Sequence, residues 1–269
     1  MGTAFAQLPD ADMVPLLRQD LDLSSPKTIP SVLSAVNPVC VINCAAFTDV
    51  DRAEANEELA TIVNGVSVGV VSEWCSARAI PLLTFSTDYV FDGDASEPYT
   101  ESSDVNPVNA YGRSKRQGEV AALVHETTLV VRTSWVISGT HQNFVSTMIR
   151  LAAERSLRVV DDQYGCPTIA SDLAWSSYEA IKADVRGILH LTNQGVTTWY
   201  RLARKAVGLA GLAADRIEPI GSEDYPTPAK RPNYSVLRSE RADALGLAAM
   251  PHWEHSLPTV VHQIKGELT

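Results

Sequence analysis

The sequence predicts an α/β protein with a Rossmann-like, doubly wound parallel sheet. Three observations carry this. Apolar runs of strand length recur at residues 39–46, 80–85 and 128–133, and each is apolar enough to be covered on both faces, as in a parallel sheet. Segments suited to helix lie between them, and strands that alternate with helices imply βαβ units. The second run ends in Ser86-Thr87-Asp88, three small polar side chains. Ligands of open α/β sheets sit just past the carboxyl ends of strands.

Taken in order, residues 2–8 read as a short helix and residues 12–17 as a strand. Ser25-Pro26 opens a helix through Val36, which Asn37-Pro38 ends. After the 39–46 strand, Phe47-Thr-Asp-Val-Asp51 is an exit loop. A helix is expected over residues 51–77, with Val66, Val70 and Val71 at helical spacing. Helix follows Tyr111 to about Glu126, and Asn143 to Glu154 is another. A short strand is expected over 157–160, a turn over 164–167, a strand over 187–191 and a helix over 198–210. The prolines of residues 225–232 mark a rigid loop. Residues 1–161 are expected to form the dinucleotide-binding part. Residues 162–269 are expected to be mainly a substrate-binding lobe, interleaved with the first and not separated by a linker.

The chain has 269 residues and a net charge of −10. That balance argues against a general nucleic-acid binder, which needs a basic face. No apolar run approaches membrane-spanning length and no signal-peptide pattern opens the chain, so no membrane partner is expected and the cytoplasm is the expected compartment. The four cysteines form no CxxC pair and no ligand set with histidine.

Tyr111-Gly-Arg-Ser-Lys115 carries the chemistry. Four residues apart at the start of a helix, a phenol and an ammonium share one face. The ammonium is expected to lower the phenol's pKa and make it a proton donor near neutral pH. Thr87 is placed to hold a substrate carbonyl against that phenol. Spacing alone fits a solvated surface pair equally well; the strand and its Ser-Thr-Asp exit upstream favour a site.

These stretches together, STDYVFDG, NPVNAYGRSKRQGE and VRTSWV, resemble the extended short-chain dehydrogenase/reductases, and among them the dTDP-4-dehydrorhamnose reductase family. The resemblance runs from about Leu16 to about Trp253. It implies reduction of dTDP-4-dehydro-β-L-rhamnose by NADPH or NADH, with a dTDP-sugar as partner and a homodimer as one assembly. Tyr111 would donate the proton, Lys115 would bind the nicotinamide ribose and tune Tyr111, and Thr87 would bond the reacting carbonyl. Asp88 and Trp135 would contact the sugar nucleotide. Asp22 and Leu23 would flank the adenine, the loop Ala45, Ala46, Phe47 and Thr48 would approach the cofactor, and Phe85 would pack near the nicotinamide. Each has a plainer reading: a turn cap at Asp22, strand-helix packing at the alanines, core packing at Phe85 and Trp135, strand-end capping at Thr87 and Asp88. Asn64 stands where related reductases order a proton relay, or is a structural amide. Arg18 suits a 2′-phosphate and hence NADPH. Family members can bind Mg²⁺ through acidic side chains, but the sequence singles out no ligands.

The chain lacks the G-x-G-x-x-G turn and first strand with which a dinucleotide fold opens. The expectation is a late start, with Gly2 as the last glycine of that turn. Other nucleotide-sugar reductases or epimerases, a non-catalytic regulatory protein and an inactive fragment of the same fold are the alternative readings.

Overall fold

A computed structural model describes residues 1–9 and 12–268. In chain order, its first half holds α1 (Gly2–Ala6), α2 (Ile29–Val36), β1 (Val41–Asn43), α3 (Val50–Ala55), α4 (Glu57–Thr61), a π-helical turn (Ile62–Val66), α5 (Ser67–Ser76), β2 (Leu82–Thr87), α6 (Ala110–Ala122) and β3 (Thr128–Thr133). There follow β4 (Val136–Ile137), α7 (Phe144–Glu154), β5 (Leu157–Val160), β6 (Tyr164–Gly165), β7 (Thr168–Ile169), α8 (Ala170–Lys182), β8 (Gly187–His190), β9 (Thr197–Thr198), α9 (Trp199–Leu209), β10 (Ile217–Ile220), α10 (Glu240–Ala244) and α11 (Trp253–Leu268).

β1, β2, β3 and β8 form one parallel sheet in that order. Successive strand residues point to opposite faces, and both faces here are covered. Leu83, Leu129, Val131 and Leu189 pack with Phe5 of α1 and Leu173 and Ala174 of α8. On the other face Leu82 packs with Val71, Trp74 and Cys75 of α5, and Val130 with Val68 of α5 and Ala122 of α6. This is the expected doubly wound arrangement. A further core gathers α7, α9 and α11 around β5 and β10, with Ile149, Leu157, Leu202, Ile217 and Leu257 buried together.

Several elements differ from expectation. Residues 12–17 form no strand: they make no ladder, and Val14 and Leu17 are exposed. A strand exists through its neighbours' hydrogen bonds, and among the described residues nothing pairs with this segment or with the outer edge of β1. The 39–46 strand shrinks to Val41–Asn43. The single helix over 51–77 is broken at Asn56, whose φ of −138° leaves the helical region, and again loosens into the π turn at Ile62–Val66. One stretch of it, Glu57–Ser76, is long and apolar enough to cross a bilayer, contrary to the sequence reading. Half of it is buried, against α6 and the sheet, as in a core helix. The helices α8 and α11 were not anticipated.

The π turn brings Asn64 against α6. An added Cβ at Gly118 would stand 2.0 Å from the Asn64 carbonyl oxygen, so the two helices meet backbone to backbone there. Gly118→Ala should therefore destabilise the fold by about 1–3 kcal/mol through overpacking. Gly208→Ala, at an exposed position of α9 with nothing nearer than 3.9 Å, should stabilise by about 0.4–1 kcal/mol. Urea unfolding of both variants checks the pair; the same sign in both would contradict the close approach.

Candidate active site

Thr87 is the last residue of β2, and its hydroxyl caps the following turn by accepting from the Tyr89 N–H at 3.2 Å. The same hydroxyl donates to Asp88 Oδ1 at 3.0 Å. Helix α6 begins beside this turn. Asn109 caps it, its Oδ1 accepting from Gly112 N at 2.8 Å, and Glu54 of α3 accepts from Ala110 N at 2.8 Å. Gly112 allows the close fit, because a Cβ there would lie 2.1 Å from the Tyr89 carbonyl oxygen. Tyr111, in the first turn of α6, is thereby set beside Thr87, whose hydroxyl lowers the phenol's pKa. Tyr89 meets the Tyr111 ring edge-on at 6.0 Å.

Asn64 ties the loop after β1 to this helix. It accepts from Phe47 N at 2.8 Å, donates to Phe47 O at 2.9 Å, and donates to Ser114 Oγ at 2.9 Å. Ser114 in turn donates to the Tyr111 carbonyl at 2.7 Å. One turn on, Lys115 is only 5% exposed. Burial lowers its pKa to about 8, against the attraction of Glu119. Burial raises Asp88 to about 6 despite the Thr87 hydrogen bond.

Tyr111 corrects the expected electrostatics. Burial pushes its phenol well above the usual value; the Thr87 hydroxyl pulls it down, while Asp88 and Tyr89 push it up. Lys115 is not among the groups that lower it. A buried phenolate loses hydration, and that loss outweighs what the neighbouring ammonium was expected to supply.

These residues line a cavity of about 710 Å³ at the carboxyl end of the sheet, within the range of small-molecule sites. It gathers Ala46, Thr48, Phe85, Thr87, Asp88, Tyr111, Lys115 and Trp135. Trp135 adopts φ 47°, a left-handed backbone uncommon for a bulky residue. Its ring stacks on Trp199 at 3.6 Å, and a Cβ at Gly165 would lie 2.5 Å from it. Asp22, Leu23, Ala45 and Phe47 are not in the lining. Asp22 accepts from Ser24 N at 2.9 Å in a turn, near Arg18 at 3.7 Å; Leu23 is a core residue with Ile29 and Leu33. Ala45 is exposed, and Phe47 packs against the Ala53, Ala60 and Ala110 cluster, as Tyr111 does. The cavity adds residues no motif marked: the 136–143 loop, Ser171 and Asp172 at the start of α8, and His255, Thr259 and Gln263 of α11.

A nicotinamide cofactor fits this lining. Ser86, Asp88 and Thr133 line the cavity, and each carries a buried oxygen with no hydrogen-bond partner among the described residues: Ser86 Oγ, Asp88 Oδ2 and Thr133 Oγ1. Divalent metal does not fit in the same way, since no group of three or more His, Cys, Asp or Glu among the described residues could hold an ion.

The RmlD substrate binding domain model matches residues 2–265. The chain belongs to this family. A dTDP-4-dehydrorhamnose reductase of Burkholderia thailandensis is 38% identical, with 94% of this chain and 91% of that protein covered. A dTDP-4-keto-6-deoxy-D-glucose reductase of Streptomyces niveus is 38% identical over 91% of this chain and 86% of its own. Among solved structures, the Bacillus anthracis dTDP-4-dehydrorhamnose reductase in complex with NADP superposes with TM-score 0.93 at 33% identity, covering 97% of this chain and 94% of that one. The RmlD family chain thus shares its α/β fold with that structure over nearly its full length.

Lys115 yields a prediction in which stability and activity part. Its pKa is depressed in the folded state, so its contribution is favourable above about pH 10.5, its ordinary value, and is lost as pH falls toward about 8. Lys115→Met should stabilise the fold at pH 7 by about 1–3 kcal/mol, with the gain fading by pH 10.5. Chemical denaturation at the two pH values checks it; a less stable variant at pH 7 would refute the burial penalty.

Proposed function

We propose that the chain reduces dTDP-4-dehydro-β-L-rhamnose to dTDP-L-rhamnose. The observation that carries the reading is the convergence of Thr87, Tyr111 and Lys115 on one cavity wall at the end of β2, in a chain of the RmlD family. When bound, NAD(P)H supplies the hydride; the protein supplies alignment and the proton. Thr87 polarises the ketone oxygen, and Tyr111 gives it the proton. Lys115 holds the nicotinamide ribose. Asp88 and Trp135 hold the sugar. Ala46, Thr48 and Phe85 border the cofactor, while Asp22 and Leu23 flank the adenine from outside the present lining.

Two observations favour NADPH over NADH: the NADP complex of the Bacillus anthracis relative and the exposed Arg18 guanidinium after residues 12–17. On this reading residues 1–161 hold mainly the cofactor and residues 162–269 mainly the substrate, with β8 returned to the sheet. The enzyme works in the cytoplasm, where nucleotide sugars are made. The Streptomyces niveus relative supports a second reading, a closely related 4-keto sugar as substrate.

The test is incubation with NADPH and dTDP-4-dehydro-β-L-rhamnose, with product analysis by NMR. Oxidation of NADPH and formation of dTDP-L-rhamnose are expected, and a different C4 or C5 configuration would select the second reading. Tyr111→Phe should lower kcat by about 10²–10⁴-fold and leave dTDP and NADPH affinity within a factor of about three. Full turnover in that variant would remove Tyr111 from the chemistry.

A further inference from the structure

Lys115 and Glu119 stand four apart on α6, both turned to the buried side, at 5% and 2% exposure. At that spacing an ammonium and a carboxylate ordinarily pair. Here they form no ion pair. Glu119 gives both oxygens to Arg132 of β3, Oε1 to Nε at 2.7 Å and Oε2 to Nη2 at 2.8 Å. Arg116 takes Oε2 as well, at 2.9 Å. Arg132 is 1% exposed, lies 5.2 Å over the Phe91 ring, and turns its remaining nitrogen to His190 Nε2 at 3.5 Å.

We infer that Arg132 is a positioning residue: by engaging both oxygens of Glu119 it keeps that carboxylate off Lys115, and so leaves the ammonium to the cavity. No other carboxylate substitutes for it. Glu54 and Glu57 are occupied at Ala110 N and Arg113. Asp88, on the turn after β2, keeps one oxygen unpartnered but is not among the charges that act on Lys115. His190 of β8 is held neutral by burial, with its pKa near 4, and Tyr111 is held as the phenol. The Glu119–Arg132 pair thus does more than fill the core. It decides whether Lys115 meets a ligand or a neighbour. The consequence for catalysis rests on the reductase reading, but the inference itself concerns the unliganded chain.

The test is competitive acetylation of the chain by acetic anhydride from pH 6 to pH 11, with the Lys115 peptide read by mass spectrometry and the folded state checked by circular dichroism. The wild-type midpoint is expected near 8. Arg132→Met frees Glu119 to turn to Lys115 and should raise the midpoint by a unit or more, cutting Lys115 labelling at pH 8 about fivefold. Glu119→Gln/Arg132→Met should restore it to the wild-type value or below, because the attraction of Glu119 is then lost as well. Arg132→Lys, a gentler change that can engage only one carboxylate oxygen at a time, should raise it by an intermediate amount. An unchanged midpoint in whichever Arg132 variant folds, or failure of the double variant to restore it, would overturn the inference. NADPH turnover by the wild-type chain is measured separately. Its absence alongside the expected labelling pattern would fail the reductase reading and leave the role of Arg132 standing.

Discussion

The arrangement depends on burying one ammonium at the start of one helix. Lys115 is charged at neutral pH in spite of its surroundings, and those surroundings are built from α6 outward. Removing an ion from water costs several kcal/mol unless other interactions offset it. The offset here comes from rigidity and from charges placed at a distance. Asn109 and Glu54 fix the first turn, Gly112 and Gly118 let backbone meet backbone, and Glu119 is close enough to favour the charged form without binding it.

The same helix ties the two parts of the chain together. Asn109 caps α6 with its carbonyl oxygen and donates its amide to the Lys230 carbonyl at 2.9 Å. Arg231 reaches Asp51 at 3.0 Å and the Tyr89 hydroxyl at 3.4 Å, while Asp51 also accepts from Ala229 N at 3.2 Å. The proline-rich loop is thus fastened to the start of α3, to the cap of α6 and to the ring beside Tyr111. Displacing that loop would release the Tyr89 ring that meets Tyr111 edge-on. Trp135 is fixed on the opposite wall by another route, pressed between Gly165 and Trp199 with its backbone in the left-handed region.

What the sequence made legible follows from how local the cause is. β3 and α7 have their expected bounds because a β-branched run and an asparagine cap act within a few residues. The fold class was readable for the same reason, and the Thr87, Asp88, Tyr111 and Lys115 positions do share one cavity. Residues 12–17 were misread because a strand needs a partner, and no single segment reveals its partner. The far wall was missed because α8 and α11 carry no chemical motif: Asp172 takes its place there through Asn193 and Ser256, at 2.7 Å each, from distant points of the chain. Glu54, likewise, serves the start of a helix other than its own, by accepting from Ala110 N.

The raised phenol pKa also changes where the lysine acts in the proposed reaction. A proton donor must hold its proton until the acceptor becomes basic, and a buried Tyr111 does so without help. The difficulty comes afterwards, when hydride arrival has made an alkoxide strong enough to take the proton and a phenolate remains beside Asp88 and Tyr89, both of which disfavour it. The Thr87 hydroxyl, which lowers the phenol's pKa, can turn from Asp88 to that phenolate, whereas Lys115 is not among the groups that lower that pKa. On this view the phenolate is stabilised by the Thr87 hydroxyl, and Lys115 is left to the cofactor's ribose. A donor bond that strengthens as negative charge builds is where an interaction must act to speed a reaction.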